Sequence, residues 1–211
     1  MGPLLLSDAG VTQRHTARDA YLMPLWLTDD EMAVLEAVAD CLIPADELGP
    51  GAVTAGAVDY IDRMLGAFLV DPPLIWAGGP TSGRHGGEAA YGSFHRLSAI
   101  DELSWRTRIE GSAGIPEREF NGPVVGLQQM FREGLAGLGT DFLECQPTEQ
   151  VSRLRSKENK RFARLVFGHL CEGLYGAPEY GGNRDNGGWR SIDFAGDVQP
   201  RGWTDAEVAE A

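Results

Sequence analysis

His169 and Glu172 stand three residues apart in an apolar-striped segment, a spacing that puts both on one face of a helix. An imidazole beside a carboxylate can move protons. It is also the ordinary arrangement of a hydrogen-bonded structural histidine, which is several times the commoner case. His95 falls on an apolar helix face with no carboxylate or second histidine one turn away, and His15 and His85 complete the set of four. Asp59 and Asp62 beside Arg63 read as a charged helix face. No Ser or Cys sits in a nucleophile elbow or a Cys/His pairing, and there is no HExxH. The glycines of 78–87 and 181–188 follow no strand pattern, so they form neither a dinucleotide fingerprint nor a phosphate loop. The expectation is a chain with no catalytic, cofactor-binding or metal-binding residues of its own. A second reading, an independent enzyme using His169 and Glu172, ranks behind it.

The cysteines point the same way. Cys41, Cys145 and Cys171 are odd in number and widely spaced, which disfavours a zinc site within the chain. Cys41 and Cys171 fall among apolar helix residues and are expected to be buried thiols. Cys145 precedes Gln146-Pro147 and so lies in a turn. It is the candidate for an intersubunit disulfide, conditional on an oxidising compartment.

Recognition chemistry is more evident than reaction chemistry. Residues 174–190, LYGAPEYGGNRDNGGWR, gather Gly, Asn, Pro, Arg and aromatics in one run. Neighbouring Gly and Asn permit positive φ and sharp turns, while Tyr, Arg and Trp are the types enriched in interface hot spots. The run continues through Phe194 and Trp203 with no helical or strand period. A long irregular segment of this kind usually docks on something. The interface expected from it comprises Tyr175, Tyr180, Arg184, Trp189 and Trp203, with Trp76 from a second long loop at 71–87. The competing reading has the tail fold back, with Trp189 completing the chain's own core.

The elements that must carry these residues are helices. The chain has 211 residues, 43% hydrophobic and 23% charged, enough for one domain with a real core. The net charge of −13, from 31 acidic against 18 basic side chains, argues against nucleic acid. Arg153, Arg155, Lys157, Lys160, Arg161 and Arg164 alternate with polar residues as a solvated helix face. No run reaches membrane-spanning length, and the N-terminus has no basic n-region or twin arginine. Thr28 and Glu31 form a capping box opening a first helix that stops at Ile43-Pro44. Further helices are expected over residues 54–69, 88–103, 124–143, from Pro147, and over 158–173. The fold class is therefore all-α: one domain of short helices with long irregular connections and an extended C-terminal tail. An irregular arm spans 1–26, the helical domain 27–173 and the partner-docking tail 174–211.

Two motifs resemble the gluconate 2-dehydrogenase subunit 3 family. The first is Leu42-Ile43-Pro44-Ala45-Asp46, followed by Gly49-Pro50-Gly51-Ala52, Ala55-Gly56 and Val58-Asp59-Tyr60-Ile61-Asp62; the second and more specific runs from Glu172 to Arg184 and on to Gly188-Trp189. The resemblance covers about residues 27–203. It implies a small, flavin-free accessory or maturation subunit of an FAD-dependent sugar, alcohol or glycoside dehydrogenase. The large partner, of the glucose-methanol-choline (GMC) oxidoreductase type, would carry FAD and the catalytic histidine, and a cytochrome c subunit often takes the electrons. Many members carry a twin-arginine signal. The expected location is thus periplasmic if that signal was removed or is supplied by a partner, and cytoplasmic otherwise. Ala177 stands where many members have Asp, Phe194-Ala195-Gly196 replaces a more usual Phe-Pro-Gly, and the tail runs on through Trp203, a trait that suggests the glycoside 3-dehydrogenase members.

Overall fold

The computed structural model describes residues 24–71, 73–75 and 97–194. Within them the chain forms seven α-helices and no strand: α1 Asp29–Leu42, α2 Ala57–Leu65, α3 Ala99–Glu110, α4 Leu127–Gly137, α5 Pro147–Arg155, α6 Lys160–Tyr175 and α7 Gly187–Ser191. The all-α expectation holds. Trp76, Trp203, His15, His85, His95, nearly all of the N-terminal arm, most of the 71–87 loop and the tail beyond 194 lie outside the described residues.

α6 is the central element. It packs most extensively against α2 and also meets α1, α4, α5 and α7. Its inward stripe, Phe162, Val166, Leu170 and Leu174, has the helical period and is buried. Opposite it lie Leu35, Val38 and Ala39 of α1, Val58, Ile61 and Leu65 of α2, and Leu127, Phe131 and Leu135 of α4. Phe131 meets Phe162 edge-on at 5.9 Å between ring centroids, a favoured aromatic geometry.

The helix ends follow local chemistry. The Thr28 hydroxyl accepts from the Glu31 amide, and the Glu31 carboxylate accepts from the Thr28 amide at 2.9 Å, closing the capping box on α1. Of the helix expected over 88–103, residues 88–96 lie outside the described residues; α3 starts after Ser98, its N-cap, which accepts from the Asp101 amide, and runs on past 103 to Glu110. The helix expected over 54–69 is shorter: it ends at Leu65, and a 3-10 turn, Ala67–Leu69, follows Gly66. The helix expected over 124–143 is also shorter. Residues 124–126 are non-helical before α4, and Gly139 at φ 91° follows its end. The intervening 111–126 loop is held to α3 by a charge chain, with Glu102 and Glu110 each pairing with Arg106 and Glu110 also pairing with Arg118.

Asp62 corrects the sequence reading. It is no member of a charged face but is 3% exposed. Its carboxylate accepts the backbone amides of Leu25, Trp26 and Leu27 at 2.5, 3.0 and 2.8 Å. The stretch ahead of α1 is thereby clamped to α2, with the Arg132 guanidinium 4.3 Å above the Trp26 ring. Removing the carboxylate would leave three amides without their acceptor, each such loss worth about 1–3 kcal/mol. Asp62→Ala is expected to lower unfolding free energy by about 3 kcal/mol or more, read as a shift of the denaturant midpoint at constant m-value; a shift within error would mean that the clamp contributes nothing.

Candidate functional site: the cap over helix α6

α6 ends at Tyr175 with Gly173 and Leu174 of its last turn buried, and the last carbonyls of a helix have no partner within it. The run 176–194 supplies partners to the carbonyls of Tyr175 and of the C-cap Gly176. Asn183, fully buried, donates its side-chain amide to the Gly176 carbonyl at 2.8 Å and accepts the Gly188 amide at 3.0 Å. The Trp189 indole donates to the Tyr175 carbonyl at 2.7 Å. Two glycines allow this closeness: a Cβ on Gly188 would come within 1.9 Å of the Leu174 carbonyl oxygen, and one on Gly182 within 2.1 Å of that of Gly173. Asn183, Asp185 and Asn186 sit at φ 46°, 54° and 55°, the left-handed region that Asn and Asp tolerate best among residues with side chains. The Arg184 amide donates to the Ala55 carbonyl at 2.9 Å, and its guanidinium pairs with Asp59 at 2.6 Å. The cap thus joins the end of α6 to the start of α2.

Of the expected interface residues, Trp189 is placed otherwise. It is 6% exposed, and its indole is bonded within the chain. Tyr175 is 41% exposed. Arg184 keeps 52% of its side chain exposed beside Asp59, and Tyr180 is half-buried. Phe194, 48% exposed, meets the Trp189 ring edge-on at 5.3 Å, and Ile192 is 55% exposed. Sequence reading missed Ile192 as a surface candidate and missed α7, a five-residue helix too short for an apolar period to show.

His169 and Glu172 do meet. His169 is 5% exposed, with Nδ1 2.7 Å from a Glu172 carboxylate oxygen that also accepts from the Tyr60 hydroxyl at 3.1 Å. Glu172 borders a cleft of about 440 Å³ whose walls include Tyr60, Met64, Trp105, Arg108 and Tyr180. The hydrogen bond from His169 holds the Glu172 carboxyl below its usual range; partial burial opposes this, and the His169 charge, Tyr60 and Arg108 reinforce it. A carboxylate that gives up its proton so readily is a weak general base near neutral pH. The arrangement fits an oriented structural histidine better than a proton shuttle. Among the described residues, no group of three or more His, Cys, Asp or Glu could hold a metal ion.

All three cysteines are free and half-buried, so Cys41 and Cys171 are less enclosed than expected. Cys145 donates its thiol to the Asp141 carbonyl at 3.3 Å. Desolvation, and then Glu149, push that thiol up, which disfavours the thiolate that disulfide exchange requires.

The helical fold and the capped α6 define a single all-α domain whose most distinctive run of sequence is spent on its own architecture. A family model, Gluconate 2-dehydrogenase subunit 3, matches residues 29–196. The chain belongs to that family, whose name is that of a subunit of a dehydrogenase complex. No curated protein and no solved structure gives a match. Among the described residues, no helix is long and apolar enough to cross a membrane.

Two measurements check the cap and the His169–Glu172 pair. Gly188→Ala and Trp189→Ala should each destabilise the isolated chain, the latter by about 3–5 kcal/mol; an unchanged melting temperature for Trp189→Ala would remove Trp189 from the core. Glu172 gives a pH dependence. Its folded pKa is depressed, so its contribution is present above the unfolded value and is lost as pH falls through the folded one. Melting temperature should therefore drop on the acid side of the usual glutamate range, and Glu172→Gln should flatten that limb; an equally steep limb in the variant would assign the loss to other groups.

Proposed function

We propose that this chain is a non-catalytic accessory subunit that binds and stabilises a flavin-bearing GMC-type dehydrogenase of sugars or glycosides. FAD resides in that partner, and a cytochrome c subunit accepts its electrons. The family match over residues 29–196 carries the reading. The geometry supports it in two ways. His169 and Glu172 are satisfied within the fold instead of being poised for a substrate. And the cap presents an apolar rim, Tyr175, Ile192 and Phe194, around the buried Trp189; exposed apolar residues gathered in this way mark interaction sites. Tyr180 and Arg184 remain contact candidates beside that rim, and Trp76 and Trp203 keep the roles expected of them from sequence. A second reading, a chaperone that holds the apo-flavoprotein and then leaves, shares the surface and differs in lifetime.

Purification of the chain alone and from its native cells tests this. Alone, it should show no flavin absorbance and no dehydrogenase activity. From its cells it should retain, after a salt wash, a stoichiometric flavoprotein that oxidises sugars or glycosides. A flavin band near full occupancy in the isolated chain would sink the proposal. Loss of the flavoprotein on washing, with its activity intact, favours the chaperone.

A further inference from the structure

Six of the 18 Lys and Arg residues of this acidic chain fall between positions 153 and 164. Arg153 is consumed internally, bound through both terminal nitrogens by Asp141 at 2.6 and 2.7 Å and by Glu149 at 3.0 Å. The other five, Arg155, Lys157, Lys160, Arg161 and Arg164, are exposed, and among the described residues none forms an ion pair. Glu158, also exposed, is the one acid in their midst. They close α5 and open α6, and the outward face of α6 continues through Phe167, 46% exposed, and Gly168, where an added Cβ would meet nothing within 4 Å.

Arg155 suits the last turn of α5, where a cation meets the negative end of the helix dipole, but the start of α6 gains nothing of the kind. The first turn of α6 contains no acid, so Lys160 and Arg161 stand at the positive end of the helix dipole and repel one another. α1 and α3 begin with acids, as that dipole favours. Lys160 and Arg161, placed against the dipole and unpaired on a face that carries an exposed aromatic, lack an intramolecular explanation. Charge complementarity supplies an external one.

We propose that this cationic face, Arg155 to Arg164 with Phe167, docks an acidic surface of a protein partner. The inference rests on the accessory-subunit reading and names the flavoprotein as that partner. It also places a second contact, electrostatic in character, apart from the apolar rim of the cap. Charges of this kind mainly set the rate of encounter.

The test uses the unaltered flavoprotein complex and the chain carrying Arg161→Glu and Arg164→Glu. The double reversal should slow association by about ten-fold or more at low salt and flatten its dependence on ionic strength. Melting of the isolated chain should be unchanged or improved, since acids suit a helix N-terminus. If the reversed chain does not fold, Arg161→Gln with Arg164→Gln should move the rate in the same direction by a smaller factor. An unchanged rate and salt slope, with the complex still forming, would overturn this inference and leave the parent reading intact. So would vesicles of anionic lipid that bind the unaltered chain but not the reversed one, if flavoprotein association is the same for both. Failure of the unaltered chain to bind any flavoprotein overturns both.

Discussion

The carbonyls that α6 leaves unpaired at its C-terminal end are the constraint on which the segment 176–194 depends. α6 lies at the centre of the domain, and Gly173 and Leu174 of its last turn are buried. The chain answers with one indole, one buried amide and backbone pressed close against backbone. Each requirement selects a residue type. Only a side chain that both donates and accepts can do what Asn183 does between Gly176 and Gly188. Close approach to the Gly173 and Leu174 carbonyls leaves no room for a Cβ at 182 or 188. The composition of the Gly-Gly-Asn-Arg-Asp-Asn-Gly-Gly-Trp run thus follows from the need to finish one helix.

Asp62 solves the matching problem at the other end of the chain. Where the cap brings a polar side chain to backbone carbonyls, Asp62 brings a carboxylate to backbone amides. A buried charge is tolerable only when fully hydrogen-bonded, and three amides converge on it. The two devices lie on helices that pack together, α2 and α6, so the segments before α1 and after α6 are fastened to the same central pair.

The fold was legible where apolar period and capping chemistry agree. Thr28 with Glu31 fixed the start of α1, and Pro147 the start of α5. It was less legible where glycines cut an otherwise periodic run, as after Leu65 and around Gly139, because period continues across a break that backbone conformation imposes. Ser98 with Asp101 carried a readable N-cap signal inside a run that looked helical throughout. Asp62 was readable too: it shares the buried stripe of Val58, Ile61 and Leu65, and a carboxylate there needs donors from elsewhere in the chain. The site was half legible. Aromatics and arginine in an irregular run signal contact, but sequence does not say with what, and Trp189 makes its contact inside the molecule.

That distinction changes how the surface must be dissected. Trp189 supports both the fold and the rim, since Phe194 leans on its ring and Tyr175 receives its indole hydrogen through the backbone. Its removal would disturb packing and recognition together, and a loss of partner binding would not reveal which came first. Tyr175 and Phe194 present their rings outward while the cap is held by other atoms. Truncating their rings removes apolar area from the rim and leaves the Asn183 and Trp189 hydrogen bonds in place. Recognition can be separated from folding at those two residues, and at the unpaired cations of α6, because at each the fold draws on the backbone or the helix and not on the exposed end of the side chain.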